Sequence, residues 1–371
     1  MDAEKKILIG LAAICSHAVI ASPLQQSFSV DAGVEYDTNP TMAATNARGA
    51  WVSTVTPEYA VRYVDGTDEW NASVSMDIER SSEQTLVINR NDPTLTLGWE
   101  RAIPRGSVAV NAEYDQASTS STETASSGAA GSTDTRNHYG FGGGLEYALT
   151  ERMQADISID YDFYSYETTS GLTSAYGDYS TRTAMATVEY LLTERNAVYA
   201  SVGAVKYTPD TPGVDPTNNY TAVVGVRTEL TPQIAVDSNV GVSHLDTDES
   251  PTNLTGSTSV TYTGERVESS LTYSRTSASS GAGGFSETDN VSASVDYALD
   301  DKTTVGAEAS YSQTVEDEPT STSSLRLHAD REVFEELTAT AAYEYRQQED
   351  ATSEATGSTW MLSLSYDMPD L

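Results

Sequence analysis

Apolar and polar residues alternate one for one along most of this chain, and that alternation restricts it to a β architecture whose strands each show one face to water. From Trp70 to Glu79, the residues Trp70, Ala72, Val74, Met76 and Ile78 interleave with Asn71, Ser73, Ser75, Asp77 and Glu79. From Met153 to Phe163, Met153, Ala155, Ile157, Ile159, Tyr161 and Phe163 interleave with Gln154, Asp156, Ser158, Asp160 and Asp162. A period of two sends successive side chains to opposite faces of a strand and matches no helical template. The same phase runs through Phe28, Val30, Ala32, Val34 and Tyr36, through Val291, Ala293, Val295 and Tyr297, and through Trp360, Leu362, Leu364 and Tyr366.

Applied to all 371 residues, this template predicts about eighteen strands. They fall near 27–37, 51–64, 70–80, 93–101, 106–115, 137–147, 153–165, 181–191, 197–207, 219–229, 234–245, 253–262, 267–275, 288–297, 303–312, 322–330, 337–346 and 357–366. Their connections alternate in length. The short ones share a pattern: Tyr147-Ala148-Leu149-Thr150-Glu151-Arg152, Tyr190-Leu191-Leu192-Thr193-Glu194-Arg195 and Glu229-Leu230-Thr231-Pro232-Gln233. Longer polar stretches lie near 115–136, 166–180, 208–218, 276–287 and 347–356, and Ser118–Thr135 is low-complexity Ser/Thr/Gly/Ala sequence. Strands of about ten residues with short turns on one side and long loops on the other are the signature of an up-and-down transmembrane barrel. Two belts of rings support it. Tyr147, Tyr190, Tyr262, Tyr297 and Tyr366 sit at short-turn ends; Tyr36, Tyr114, Phe163, Tyr273, Tyr311 and Tyr343 sit near long-loop ends, all on the apolar face. A soluble sandwich would have to bury nine strand pairs and leaves the belts unexplained. A propeller needs four strand segments per repeat, where two are found. Pro57 interrupts the second strand and calls for a bulge or a break there.

Composition agrees. Hydrophobic residues make up 38%, below the content of a chain with one large packed core. Tyr outnumbers Phe 22 to 5, which favours polar–apolar boundaries. The formal charge of −35 excludes nucleic acid as a default partner, because phosphate contacts need clustered Lys and Arg. One cysteine, Cys15, excludes a disulfide scaffold, a cysteine zinc cluster and an iron–sulfur site. Lys5-Lys6 followed by apolar residues from Ile7 to Ile20 and by Val19-Ile20-Ala21 reads as a signal peptide over 1–21, leaving 22–371 as the barrel of a Gram-negative outer membrane. Outer-membrane lipid and lipopolysaccharide are then its expected surroundings.

With the apolar phase outward, the opposite phase lines the pore. The expected pore-lining set is Asp77, Glu79, Glu113, Asp156, Asp160, Asp162, Glu189, Arg227, Asp237, Asp296, Glu308 and Arg326. Acids dominate it. An eighteen-strand barrel leaves an aqueous channel, and an acidic wall raises the local cation concentration. No motif marks catalysis. His138, His244 and His328 lie on three distant strands, and no serine or acid motif surrounds any of them, so all three read as solvated wall residues. Asp246-Thr247-Asp248-Glu249 and Glu316-Asp317-Glu318 lack an EF-hand pattern and read as solvated acidic loops. Gly140, Gly142, Gly143 and Gly144 lie in a strand phase and read as strand glycines, not a phosphate loop. No enzyme, metal site or cofactor is expected.

The stretch Gly33-Val34-Glu35-Tyr36-Asp37-Thr38-Asn39-Pro40 resembles the opening of a family of porin-like outer-membrane β-barrel proteins whose first strand ends in Tyr-Asp-Ser-Asn-Pro, with Thr38 here in place of the Ser. The recurring Tyr-x-Leu-Thr turns are similar to that family too. The resemblance implies a barrel often associated with exopolysaccharide export, passing polysaccharide with periplasmic export proteins as partners. It carries over no catalytic residue. Two other readings stand beside it: a general diffusion porin with cation preference, and a surface structural or adhesive barrel. A constriction loop folded into the pore would separate export barrel from porin.

Overall fold

The computed structural model describes residues 24–119, 122, 134–168, 176–211, 213–247, 251–279, 281, 283–315 and 319–368. The leader with Cys15, most of the low-complexity stretch, Asp248-Glu249 and Glu316–Glu318 lie outside the described residues.

Eighteen strands form in chain order: β1 (Leu24–Asp37), β2 (Ala50–Asp65), β3 (Asp68–Ser81), β4 (Arg90–Ile103), β5 (Gly106–Ser118), β6 (Thr135–Ala148), β7 (Met153–Glu167), β8 (Tyr179–Thr193) and β9 (Asn196–Pro209). The second half comprises β10 (Thr217–Thr231), β11 (Ile234–Asp246), β12 (Thr252–Thr263), β13 (Val267–Ser279), β14 (Phe285–Asp300), β15 (Thr303–Thr314), β16 (Ser321–Phe334), β17 (Leu337–Glu349) and β18 (Glu354–Met368). Each strand pairs antiparallel with its sequence neighbours, and β1 pairs with β18, so the sheet closes. Closure leaves no open edge, which is what lets strands cross a membrane with their backbone groups paired. Among the described residues no helix is long and apolar enough to cross one.

The outward phase is apolar and uncovered. Trp70 is 52%, Ile157 50%, Val295 43% and Leu362 62% exposed, values that in a water-soluble protein would be an extended apolar patch. Rings pair across neighbouring strands at both ends of this band: Trp70 with Trp99 at 5.9 Å near the short turns, Tyr36 with Trp51 at 5.0 Å and Tyr343 with Trp360 at 4.5 Å near the long loops. Such girdles flank the lipid-facing band of outer-membrane barrels.

The short turns repeat one local solution. The Thr150 hydroxyl accepts from the Arg152 N–H at 3.2 Å, Thr193 from Arg195 at 3.3 Å and Thr231 from Gln233 at 3.2 Å; Asp300 does the same for Lys302 at 2.9 Å. This is the side-chain turn that Ser, Thr and Asp favour. Register slips just before four of these turns, between Leu191 and Thr193, Glu229 and Thr231, Ala298 and Asp300, and Glu332 and Phe334. The residues passed over, Leu192, Leu230, Leu299 and Val333, are all exposed large hydrophobics.

Pro57 needs no bulge. Pairing of β2 with β3 lapses over Thr56 and Pro57 and resumes at Glu58 opposite Ser75, in the register that set Val55 opposite Ile78. Across β3, Met76 faces a second proline, Pro93, where β4 has already left β5; the β4–β5 ladder begins only at Thr94 opposite Asp115. The wall splits similarly above Gly256 and Arg275. There the loop-side end of β12 stays with β11, while the end of β13 stays with β14 up to Ser279 opposite Phe285.

Candidate functional site

The long-loop end holds the groups that could act on a solute. First, the ends of β1 and β18 are bolted together there. Thr38 donates its N–H to the Ser358 carbonyl at 3.0 Å, and Ser358 donates back to the Thr38 hydroxyl at 2.8 Å. Asn39 is 1% exposed; its amide donates to the Ala43 and Thr356 carbonyls at 3.0 and 2.9 Å and accepts from the Ala43 N–H at 2.9 Å. Asp37 accepts from the Asn39 N–H at 2.8 Å and pairs with Arg346. The Tyr-Asp-Thr-Asn-Pro stretch is therefore the closure of the barrel's seam.

Second, rings close in across the mouth. Tyr164 stacks on Tyr179 at 4.6 Å, Tyr179 lies 5.0 Å from Tyr207, and Tyr207 lies 6.1 Å from Phe285. Tyr207 is on β9 and Phe285 opens β14, five strands further round the wall. Their meeting requires the loop-side ends to lean over the opening. The split above Gly256 and Arg275 frees the β13–β14 hairpin to do so. The Gly177 N–H donates to the Gly281 carbonyl at 3.0 Å, joining the β7–β8 connection to the β13–β14 connection. A Cβ at Gly281 would stand 2.6 Å from the Tyr166 ring, so a larger residue there would push that ring aside. Tyr179 and Tyr207 are each 3% exposed. Composition pointed to tyrosines at boundaries; these are instead buried in a loop-end cluster, because contacts between distant loops bury them.

Third, a histidine is enclosed by acids. His138 on β6 sits opposite Asp115 of β5 and Tyr164 of β7, while Gly140 sits opposite Glu113 and Asp162 on the same strands. His138 Nδ1 is 2.7 Å from Asp115 Oδ1 and 3.4 Å from Glu113 Oε1; Nε2 is 3.0 Å from Asp162 Oδ1. The Tyr164 ring stacks on the imidazole at 4.5 Å and 10°. The His138 side chain is 8% exposed and that of His328 11%, so the expectation of solvated wall histidines fails for both. His328 Nε2 lies 3.0 Å from Asp296 and 3.6 Å from Asp330. The acids around His138 come from β5 and β7, so no linear motif displays them; His328 takes Asp296 from β14, two strands away, and Asp330 from its own strand. His244 is half-buried, with Nδ1 2.9 Å from the Thr252 hydroxyl.

The remaining expected residues fall into smaller groups. Arg227 donates to Glu189 at 2.7 Å and to Asp237 at 3.0 Å, and Asp237 also accepts from the Tyr199 hydroxyl at 2.8 Å. Arg326 lies 3.9 Å from Glu308. Asp77 accepts from Thr56 at 2.9 Å, Asp156 accepts from Gln154 at 3.2 Å, and Glu79 stands opposite Arg90. Asp160 stands opposite Gly142, where a Cβ would come within 2.5 Å of its carboxylate. These residues do not converge on one centre; they are spread around the wall.

A family model described as "Putative MetA-pathway of phenol degradation" matches residues 24–176, less than half of the chain. No curated protein matches by sequence. Solved structures match over nearly the whole fold. The outer membrane protein OpdK of Pseudomonas aeruginosa aligns with a TM-score of 0.56 at 9% identity, covering 93% of this chain and 98% of its own. OpdO of the same organism gives 0.55 at 9% identity, covering 94% and 97%. OccAB4 of Acinetobacter baumannii gives 0.54 at 11% identity, covering 94% and 98%. Identities this low carry the fold alone. Taken with the closed sheet, the bare apolar band and its ring girdles, they make this chain an eighteen-stranded antiparallel barrel of the Gram-negative outer-membrane type.

Proposed function

We propose that this barrel is a passive channel for small solutes, narrowed at its long-loop mouth and preferring cations or neutral molecules over anions. The observation that carries this reading is the ring contact between Tyr207 and Phe285, reinforced by the Gly177–Gly281 hydrogen bond. A chain of rings drawn across the opening suits a size-limited diffusion channel better than a conduit for a polymer. The porin-like neighbours point the same way, and exopolysaccharide passage is left with only the resemblance of its first strand. The family description names phenol degradation, which makes small aromatic compounds a reasonable class of solute to include in a test.

Preference for cations rests on the phase opposite the lipid. Asp77, Glu79, Glu113, Asp156, Asp160, Asp162, Glu189, Asp237, Asp296 and Glu308 share it with Arg227 and Arg326. Several of these acids are offset by a basic partner: Arg227 holds Glu189 and Asp237. Asp156 and Asp160 have no basic side chain within ion-pair distance among the described residues, and they leave one wall negative. A focused field of one sign raises the local concentration of the opposite ion. Its reach falls from about 10 Å at 0.1 M salt to about 3 Å at 1 M.

The test is reconstitution. Liposome swelling with neutral sugars of increasing length should show monosaccharides entering and longer oligosaccharides excluded. Reversal potentials in planar bilayers should show cation selectivity at low salt that fades in 1 M salt. Passage of long oligosaccharides at the rate of monosaccharides would return the export reading. Anion selectivity at low salt would overturn the field argument. A barrel with no conductance would favour a structural or adhesive role.

A further inference from the structure

We infer that Glu113, His138 and Asp162 form a divalent metal site on the barrel wall, with Asp115 positioning the imidazole. This inference goes beyond the channel reading and does not depend on which solute passes. One ligand atom from each of the three residues lies within 4.8 Å of the other two. A zinc ion with nitrogen and oxygen ligands at about 2.0–2.2 Å holds its ligand atoms roughly 3.3 Å apart, so the Glu113 carboxylate, whose Oε1 lies 3.4 Å from Nδ1, has to swing toward Nε2 to complete the set.

Three features show a built site and not a chance crowd of acids. The first is the orientation of the ring. In the Nδ1–H tautomer that nitrogen donates to Asp115 Oδ1 at 2.7 Å, and the Arg136 guanidinium lies 3.4 Å from Asp115 Oδ2. A carboxylate on one ring nitrogen is the arrangement that fixes a metal-binding histidine, leaving the other nitrogen as a lone pair. That other nitrogen, Nε2, faces Asp162 Oδ1 at 3.0 Å. A lone pair and a carboxylate oxygen at that distance repel each other unless a cation or a proton lies between them. The second feature is that Asp162 is itself held, its Oδ2 accepting from the Thr181 hydroxyl at 3.2 Å. The third is the slot. Gly140 stands between Glu113 and Asp162 in the register, and a Cβ on it would come 2.7 Å from the Glu113 side chain. The missing side chain lets carboxylates from two strands lean toward one imidazole on the strand between them. Glu113 is 44% exposed, which gives an ion a way in from solvent.

One imidazole with two carboxylates suits a first-row divalent ion such as zinc or manganese. Zinc chloride titrated into the detergent-folded, EDTA-dialysed full barrel, followed by calorimetry, should show one ion per chain; manganese chloride should bind at the same site more weakly. His138→Gln and Glu113→Gln should each weaken zinc at least tenfold, Asp115→Asn by about 10–100-fold. Gly140→Ala should weaken it at least tenfold by filling the slot, with all three ligands present. His244→Gln should leave it unchanged. Heat-modifiable gel migration shows which variants keep the closed barrel. No saturable zinc binding would overturn the site and leave His138 as an imidazolium bridging β5 and β7. Zinc binding that the His138, Glu113 and Gly140 variants leave unaltered would overturn it equally, since the ions would then be spread over the acidic surface.

Discussion

The two ends of this barrel are built in opposite ways. At the short-turn end several connections are settled largely by their own residues. A Thr or Asp caps the amide two positions on, a strand slips by one residue, and an exposed Leu or Val is left pointing outward, as at Leu192, Leu230 and Leu299. At the long-loop end the contacts that set the mouth reach between distant parts of the chain. Thr38 is held by Ser358, Asn39 by Thr356, Gly177 by Gly281 and Tyr207 by Phe285. Local turns can be varied one at a time at little cost. Contacts between distant loops fix the shape of the mouth together and place polar and aromatic side chains at the opening.

That contrast sets the order of expected effects. Asn39→Ala should be the most damaging, because it removes three hydrogen bonds made by a buried side chain, to Ala43 and Thr356, at about 0.5–1.5 kcal/mol each. The temperature at which the barrel loses its fast-migrating form on gels should drop well below that of wild type; an unaltered temperature would mean that the seam is held elsewhere. Next come single cysteines probed with a membrane-impermeant thiol reagent in vesicles. Asp160→Cys should label and Ile157→Cys should not, because the two lie on opposite faces of β7. Equal labelling would reverse the assignment of faces.

At the other end, Thr231→Ala removes the hydroxyl that accepts from the Gln233 and Ile234 amides in an exposed hairpin and should lower stability by about 1 kcal/mol or less. A loss as large as that of Asn39→Ala would erase the distinction between the ends. The smallest effect is expected back at the long-loop end, at Asp350, in a local turn of the exposed β17–β18 connection. Bonds from the Thr352 and Ser353 amides and hydroxyls hold its carboxyl down at about 2. A depressed carboxyl stabilises the turn above its unfolded value of about 3.9, and that contribution disappears as pH falls through the folded value. Amide shifts of Thr352 and Ser353 should therefore titrate with a midpoint near 2; a midpoint near 4 would show that the turn is not formed.

The same contrast explains what could be read from the sequence. Alternation fixed the strands because it is local: the phase that runs through Trp70 and Ile78 spans ten residues of one strand. The short turns were legible for the same reason, through Leu-Thr-Glu-Arg. The loop-end cluster was not, because Tyr207 and Phe285 acquire their meaning only when five strands of wall curl between them. His138 was read as solvated because its acids arrive by register from two other strands. Pairing the ends of the predicted strands near 106–115 and 137–147 brings Asp115 to His138, whereas in the sequence Gly140 reads only as a strand glycine that permits a kink. Asp37 and Asn39 were recognised through family resemblance before the structure gave them a role at the seam.

The central claim is that rings drawn together across the long-loop mouth limit what passes. Single-channel conductance of the wild-type barrel and of a Tyr207→Ala/Phe285→Ala double variant, in the same bilayer at 1 M salt where the wall charge is screened, tests it most directly. The account predicts a small wild-type conductance and a severalfold larger one in the variant, with longer oligosaccharides admitted in liposome swelling. Equal conductances in two barrels that both keep their folded migration on gels would contradict it, and would place the narrowest point of the channel away from these rings.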